Sequence, residues 1–257
     1  MHVVARFSPA SLLLQCGGSP MSASENGSQI SALAWALDRA ATPRPWTGGR
    51  ARIIPRPMTS TAPALSCSDL TLDRGGHVLV RGLLLGVKAG EAVVLTGPNG
   101  SGKTTLLRAL AGLVRPAAGE IARTPGEAGI AFLGHADGLK ASETVEEMLT
   151  SWTRLHGEDA GPARMDQVMR DLAVAHLARR ACGGLSAGQK RRAALARVVL
   201  SNRPIWILDE PAAPLDTASR TKLAALVTRH RAGGGLVVAS THLDLGWRDV
   251  RAVELRP

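Results

Sequence analysis

Nine consecutive residues carry the densest chemistry in the chain: Gly97, Pro98, Asn99, Gly100, Ser101, Gly102, Lys103, Thr104 and Thr105. They read G-x-x-x-x-G-K-T. The apolar run Ala92-Val93-Val94-Leu95 precedes them, and Leu106, Leu107, Leu110 and Leu113 follow at helical spacing. Glycines let a backbone wrap closely round a phosphate and aim its N–H groups inward. The N-terminus of the following helix adds partial positive charge. Lys103 has the reach to meet β- and γ-phosphate oxygens, and the Thr104 hydroxyl suits Mg²⁺. A Gly-rich turn can match this pattern by chance. A strand on one side and a helix on the other make it a phosphate-binding loop.

A second apolar run, Ile205-Trp206-Ile207-Leu208, ends in the adjacent acids Asp209 and Glu210. Next to a phosphate loop, such a strand offers one carboxylate to Mg²⁺ (Asp209) and a second to polarise an attacking water (Glu210). Between the two lies Leu185-Ser186-Ala187-Gly188-Gln189. Here the chain resembles the ATP-binding subunits of ABC transporters, whose signature is LSGGQ or LSxGQ. Leu215-Asp216 resembles the family's D-loop. His242, after the apolar run Leu236–Ala239, resembles its switch histidine. The resemblance spans about Ala64 to Leu255.

The resemblance implies an α/β P-loop NTPase fold with a RecA-like core, an N-terminal antiparallel β-subdomain and a small α-helical subdomain at about residues 135–184. The ATP-binding domain would occupy residues 58–257. ATP and Mg²⁺ are the implied ligands, with two copies paired head-to-tail. The loop Gly97–Thr105 of one copy would then bind each ATP together with Ser186, Gly188 and Gln189 of the other. Lys103, Glu210 and His242 would be catalytic, with Glu210 as general base. Thr104, Asp209 and His135 would form the metal set. Separate integral membrane subunits would hold the homodimer at the cytoplasmic face of the inner membrane.

Two positions depart from the family pattern. His135 stands where a Gln is expected, and its ring nitrogens can still meet water or metal. Arg74 stands where an aromatic usually stacks on adenine, and a planar guanidinium can stack as well. The stretch from Gly134 to Lys140, the block from Leu185 to Arg192, and Trp206 to Pro211 are similar to the ATPase subunits of cytochrome c maturation haem exporters. That likeness implies an ATPase powering haem export or delivery. Ala212-Ala213 replaces the Phe-Thr pair usual there.

Elements must position these groups. Ala64–Leu72 reads as a strand, Gly75-Gly76 as a turn, and His77–Val80 and Leu83–Val87 as further β segments. The chain has 257 residues, 45% of them hydrophobic, which suffices for a sizeable core. No stretch approaches the ~18–20 uncharged apolar residues of a membrane-spanning helix. Cys16, Cys67 and Cys182 are scattered with no CxxC pair, which argues against a disulfide framework and for a reducing compartment. The net charge is +10, and residues 1–57 hold six Arg and two acids. That segment is rich in Ser, Pro and Gly and has no core-forming period. It reads as a disordered extension, or as lying upstream of a true start at Met58, in preference to an organelle-targeting peptide.

Lys190-Arg191-Arg192 reads as a solvated or phosphate-facing surface, so no nucleic-acid partner is expected. Glu143, Glu146 and Glu147 read as an exposed helix of the small subdomain. Two other functions stay open: an ABC ATPase for another transport substrate, and a soluble, non-transport ABC ATPase of DNA repair or translation. Against the latter, only 106 positions separate Lys103 from Asp209, with no heptad run for a coiled coil, and there is one cassette. A GTPase is disfavoured because NKxD is missing.

Overall fold

The computed structural model describes residues 62–157 and 160–256. The expected extension over residues 1–57 lies outside them. An antiparallel hairpin comes first: β1 (Ala64–Arg74) and β2 (His77–Lys88). Gly75 and Gly76 both have positive φ, 61° and 82°. A two-residue hairpin loop needs this to match the strand twist. The two β segments expected over residues 77–87 are one strand, bent by register shifts opposite Leu70 and Leu72. β4 (Ala118–Thr124) pairs with the other edge of β1 and completes a three-stranded sheet, order β2-β1-β4.

The second sheet has five strands in the order β5-β6-β7-β3-β8, with every pairing parallel. Its members are β3 (Ala92–Thr96), β5 (Ile130–Leu133), β6 (Ile205–Asp209), β7 (Leu236–Ser240) and β8 (Val250–Glu254). β6 and β7 are buried along their whole length. That is why they read as continuous apolar runs and not as alternating ones. Their side chains divide by the strand period of two. Ile205, Ile207, Leu236 and Val238 join one core with β1, β2 and Leu106, Leu107 and Leu110. Trp206, Leu208, Val237 and Ala239 join the other core.

Among the described residues five α-helices follow in chain order: α1 (Lys103–Leu110), α2 (Val145–Leu155), α3 (Gly161–Asp171), α4 (Ala187–Leu200) and α5 (Thr217–Ala232). α2 and α3 lie in the expected helical subdomain, and both pack on α4. Thr144 and Glu147 close a capping box at the start of α2, where Glu146 and Glu147 are exposed as expected, whereas Glu143 precedes the helix and is half-buried. α1 ends sooner than its leucine spacing predicts. The N–H groups of Gly112 and Leu113 donate to the carbonyls of Ala109 and Arg108, at 3.0 and 2.8 Å, with Gly112 at φ 82°. That Schellman closure puts Leu113 outside the helix, 62% exposed and not on the core face. Among the described residues, no helix is long and apolar enough to cross a membrane.

Away from the carboxyl edge, His230 of α5 stacks on Trp206 of β6, ring centroids 3.8 Å apart. Burial pushes its pKa down from 6.5 to about 4, opposed by hydrogen bonding to the Pro204 and Leu236 backbone. The folded state therefore holds His230 neutral while the unfolded chain takes up a proton below about pH 6.5. Stability should fall as pH drops from about 6.5 to 4, by up to about 3 kcal/mol from this group, and lose nothing more from it below that. Urea melts of wild type and His230→Phe across that range check this. Wild type should lose stability relative to the variant as the pH falls, and a constant difference would contradict it.

Candidate functional site

The phosphate loop leaves the carboxyl end of β3 and runs into α1, while Asp209 and Glu210 stand at the carboxyl end of β6. Only β7 separates β3 from β6 in the sheet. Both motifs thus meet at the strand edge where open α/β sheets bind ligands. They line one cleft of about 800 Å³. Asn99, Gly100, Gly102, Lys103, Thr104 and Thr105 form one wall, with Asp209, Glu210, His135 and His242 around it. Arg74 and Leu79, from the hairpin, close another side. Arg108 completes the lining cations, so Arg74, Lys103 and Arg108 face the acids Asp209 and Glu210. A cleft with this balance suits a polyphosphate.

The loop geometry depends on glycine. Gly97 sits at φ 128°, and a Cβ there would stand 2.2 Å from the Leu255 carbonyl oxygen of the chain leaving β8. Gly97→Ala should therefore cost stability, on the order of 1–3 kcal/mol from backbone strain alone, and weaken nucleotide binding with it. Melting curves and fluorescent-nucleotide titration check both. Unchanged binding would show that the loop tolerates the displacement.

Lys103 Nζ donates to the carbonyls of Gly97 and Pro98, at 2.7 and 2.8 Å, and so spans its own loop. Thr104 Oγ1 donates to Asp209 Oδ2 at 3.0 Å, and Ser240 Oγ donates to Asp209 Oδ1 at 2.6 Å. This carboxylate is buried yet fully hydrogen-bonded, as a buried charge must be. Ser240 escaped the sequence reading. Its place follows from the register that sets it opposite Asp209. A hydroxyl and a carboxylate in contact are the hard oxygen donors Mg²⁺ takes, in the small number it uses when phosphates and water fill the other positions. Among the described residues, no cluster of three or more His, Cys, Asp or Glu forms a larger metal cage.

Glu210 takes a left-handed backbone, φ 48°. Its carboxylate Oε2 lies 3.0 Å from His242 Nδ1, close but not aligned for a hydrogen bond. Glu210 is half-buried while His242 is largely exposed. A carboxylate and an imidazole thus stand together in the cleft that the phosphate loop lines.

Ser186, Gly188 and Gln189 do not line this cleft. Ser186 caps α4, and the capping box is closed by Gln189, whose Oε1 accepts from the Ser186 N–H at 2.9 Å. The exposed Ser186 thus starts a helix whose N-terminus is free to meet an anion. A Cβ on Gly188 would come within 2.9 Å of the Pro214 carbonyl, so the signature packs tightly on the segment leading to Leu215-Asp216. Asp216 caps α5, accepting from the Ser219 N–H at 2.8 Å.

One expectation about the basic run fails. Arg191 is not solvated: it is 2% exposed and bonded to the backbone on both sides of the site. It falls on the inward face of α4, in register with the buried Ala194, Leu195 and Val198. That spacing was the available signal.

Parallel sheet, phosphate loop, paired acids and capped signature helix together define an ATPase of the ABC class. Residues 80–213 match the ABC transporter family. A putative ABC transporter ATP-binding protein from Pyrococcus furiosus superposes with a TM-score of 0.67 at 28% identity, covering 75% of this chain and 97% of that one. The cytochrome c biogenesis ATP-binding export protein CcmA of Maricaulis maris is 47% identical over 197 residues, 74% of this chain and 91% of its own length. CcmA of Rhodobacter capsulatus is 45% identical over 193 residues, 75% of this chain and 87% of its own. The chain belongs to the CcmA family of ABC ATP-binding proteins, and it is an ATP-hydrolysing subunit.

Proposed function

We propose that this ATPase powers haem export or delivery for the maturation of c-type cytochromes, as the peripheral subunit of a membrane-bound ABC complex. The observation that carries the catalytic half is the single cleft that joins Lys103, Thr104, Asp209, Glu210 and His242. The cytochrome c half rests on the similarity to CcmA proteins. Lys103 and the loop N–H groups of Gly97–Thr105 bind and orient the ATP phosphates. Thr104 and Asp209, with His135 lining the same cleft, would hold Mg²⁺, which would neutralise charge on the phosphates. Glu210 takes the proton of the attacking water, and His242 keeps the γ-phosphate and water in place.

Two copies pair head-to-tail. Ser186, Gly188 and the Gln189-closed cap of one then meet the γ-phosphate held by the other, and the helix N-terminus stabilises its charge. The exposure of Ser186 away from its own cleft supports this reading. Separate integral membrane subunits dock at the helical subdomain, on the cytoplasmic face of the inner membrane. Haem-stained gels of c-type cytochromes in cells lacking the gene test the role. Loss of covalent haem, restored by wild type and not by Lys103→Ala while b-type cytochromes persist, is expected. Unchanged c-type cytochromes would overturn the haem role and leave the ATPase standing.

A further inference from the structure

Arg191 is the largest fully buried side chain of the described residues, and a charge so placed must be held by its surroundings. Its acceptors come from two segments far apart in sequence. Nη1 donates to the Gly134 carbonyl at 2.9 Å and to Asp137 Oδ1 at 2.8 Å, in the loop that follows β5 and carries His135. Nη2 donates to the carbonyls of Asp209 and, at 2.8 Å, Glu210. Asp137 is its one carboxylate partner and is itself 21% exposed. Nε has no partner. A fork that leaves one donor unsatisfied to grip four acceptors is not placed for its own solvation.

The grip falls on the one strained residue of the site. Glu210 holds a left-handed backbone at φ 48°, which costs a non-glycine residue on the order of 1–3 kcal/mol. Its N–H donates to the Ser240 carbonyl and hydroxyl oxygens, both at 3.1 Å. Its carbonyl is taken by Arg191. With both sides of the residue clamped, the left-handed turn persists and keeps the carboxylate beside His242 in the cleft.

We infer that Arg191, braced by Asp137, is a positioning residue that fixes the Glu210 backbone and ties it to the loop carrying His135. The inference rests on the reading of Glu210 as general base. Arg191 does not itself line the cleft, and its bonds reach the site through the Asp209 and Glu210 main chain and not through the phosphate loop, so it acts on the chemical step and not on nucleotide binding. A lysine keeps the charge and cannot span both segments, because a single ammonium lacks the planar fork.

The test is ATP hydrolysis by the full chain purified with its membrane subunits. Arg191→Lys should lower kcat about 10- to 100-fold, the scale of a small misplacement of a reacting group, with KM for ATP within about twofold of wild type. In a Glu210→Gln background the same substitution should cost little more, because an effect that runs through Glu210 has already been lost. An unchanged kcat would overturn the inference. So would a parallel loss of kcat and ATP affinity, or a full additional loss on top of Glu210→Gln, since a general structural defect gives those results. Should Arg191→Lys fail to fold, Asp137→Asn decides: kcat should fall about threefold at constant KM as the charge-assisted brace weakens, and an unchanged kcat would overturn the inference. Normal turnover by Glu210→Gln alone would instead remove the general-base assignment, an outcome separable from all of these.

Discussion

Replacing Lys103 with alanine should lower ATP turnover by at least about 10²–10³-fold, the cost of removing a preorganised charge from the transferring phosphoryl group, while leaving the protein folded. Lys103 is the first residue of α1, a cation at the positive end of a helix dipole. That placement is unfavourable by itself. Among the described residues its side chain bonds only to two carbonyls of its own loop, Gly97 and Pro98. Two such bonds are worth about 0.5–1.5 kcal/mol each, partly offset when alanine relieves the dipole. The melting temperature should therefore move by a few degrees at most, while turnover collapses. In the free enzyme the ammonium spans the loop, and the γ-phosphate of ATP is the stronger acceptor for it. Turnover, nucleotide affinity and melting measured on one preparation separate these effects. A folded Lys103→Ala enzyme with ordinary turnover would mean that the loop does not carry the phosphates.

The parts of this site that the sequence makes legible are those whose chemistry demands contiguity. A phosphate cradle needs its glycines, lysine and threonine in a single turn, so Gly97–Thr105 stands out without any knowledge of the fold. Asp209 and Glu210 are legible because a strand buried on both faces must be apolar throughout, and two acids ending such a run mark the sheet's carboxyl edge. Contacts made across the fold are a different matter. Arg191 looks like one third of a solvated basic run, because its acceptors are carbonyls and an aspartate 54 positions away. Carbonyls leave no trace in residue types. Ser240 likewise becomes meaningful only through its register with Asp209. β4 is hard to read for another reason. It is an edge strand whose residues are exposed or half-buried, so no alternation shows. Leu113 misleads in the opposite direction, since leucine spacing continues past the glycine that stops α1.

Glu210→Gln should hydrolyse ATP at least about 10²-fold more slowly than wild type, the lower range for loss of a general base. ATP should bind with nearly unchanged affinity. The amide is isosteric with the carboxylate and can still orient a water, but it cannot accept that water's proton. The backbone restraints on residue 210, through Ser240 and Arg191, involve main-chain atoms and survive the substitution. The geometry is kept and only the basicity goes. If the γ-phosphate bridges two copies, a variant that binds ATP without cleaving it should accumulate as ATP-bound dimers, visible by size exclusion with light scattering. Adding Ser186→Ala at the exposed signature cap should return that species to monomer, because the contact it removes is the one that the partner copy would supply to the γ-phosphate. Trapped monomers would preserve the hydrolytic chemistry and remove the head-to-tail pairing. Ordinary turnover would remove Glu210 as the base. Asp209 could not inherit the role, since both its oxygens are already engaged by Thr104 and Ser240.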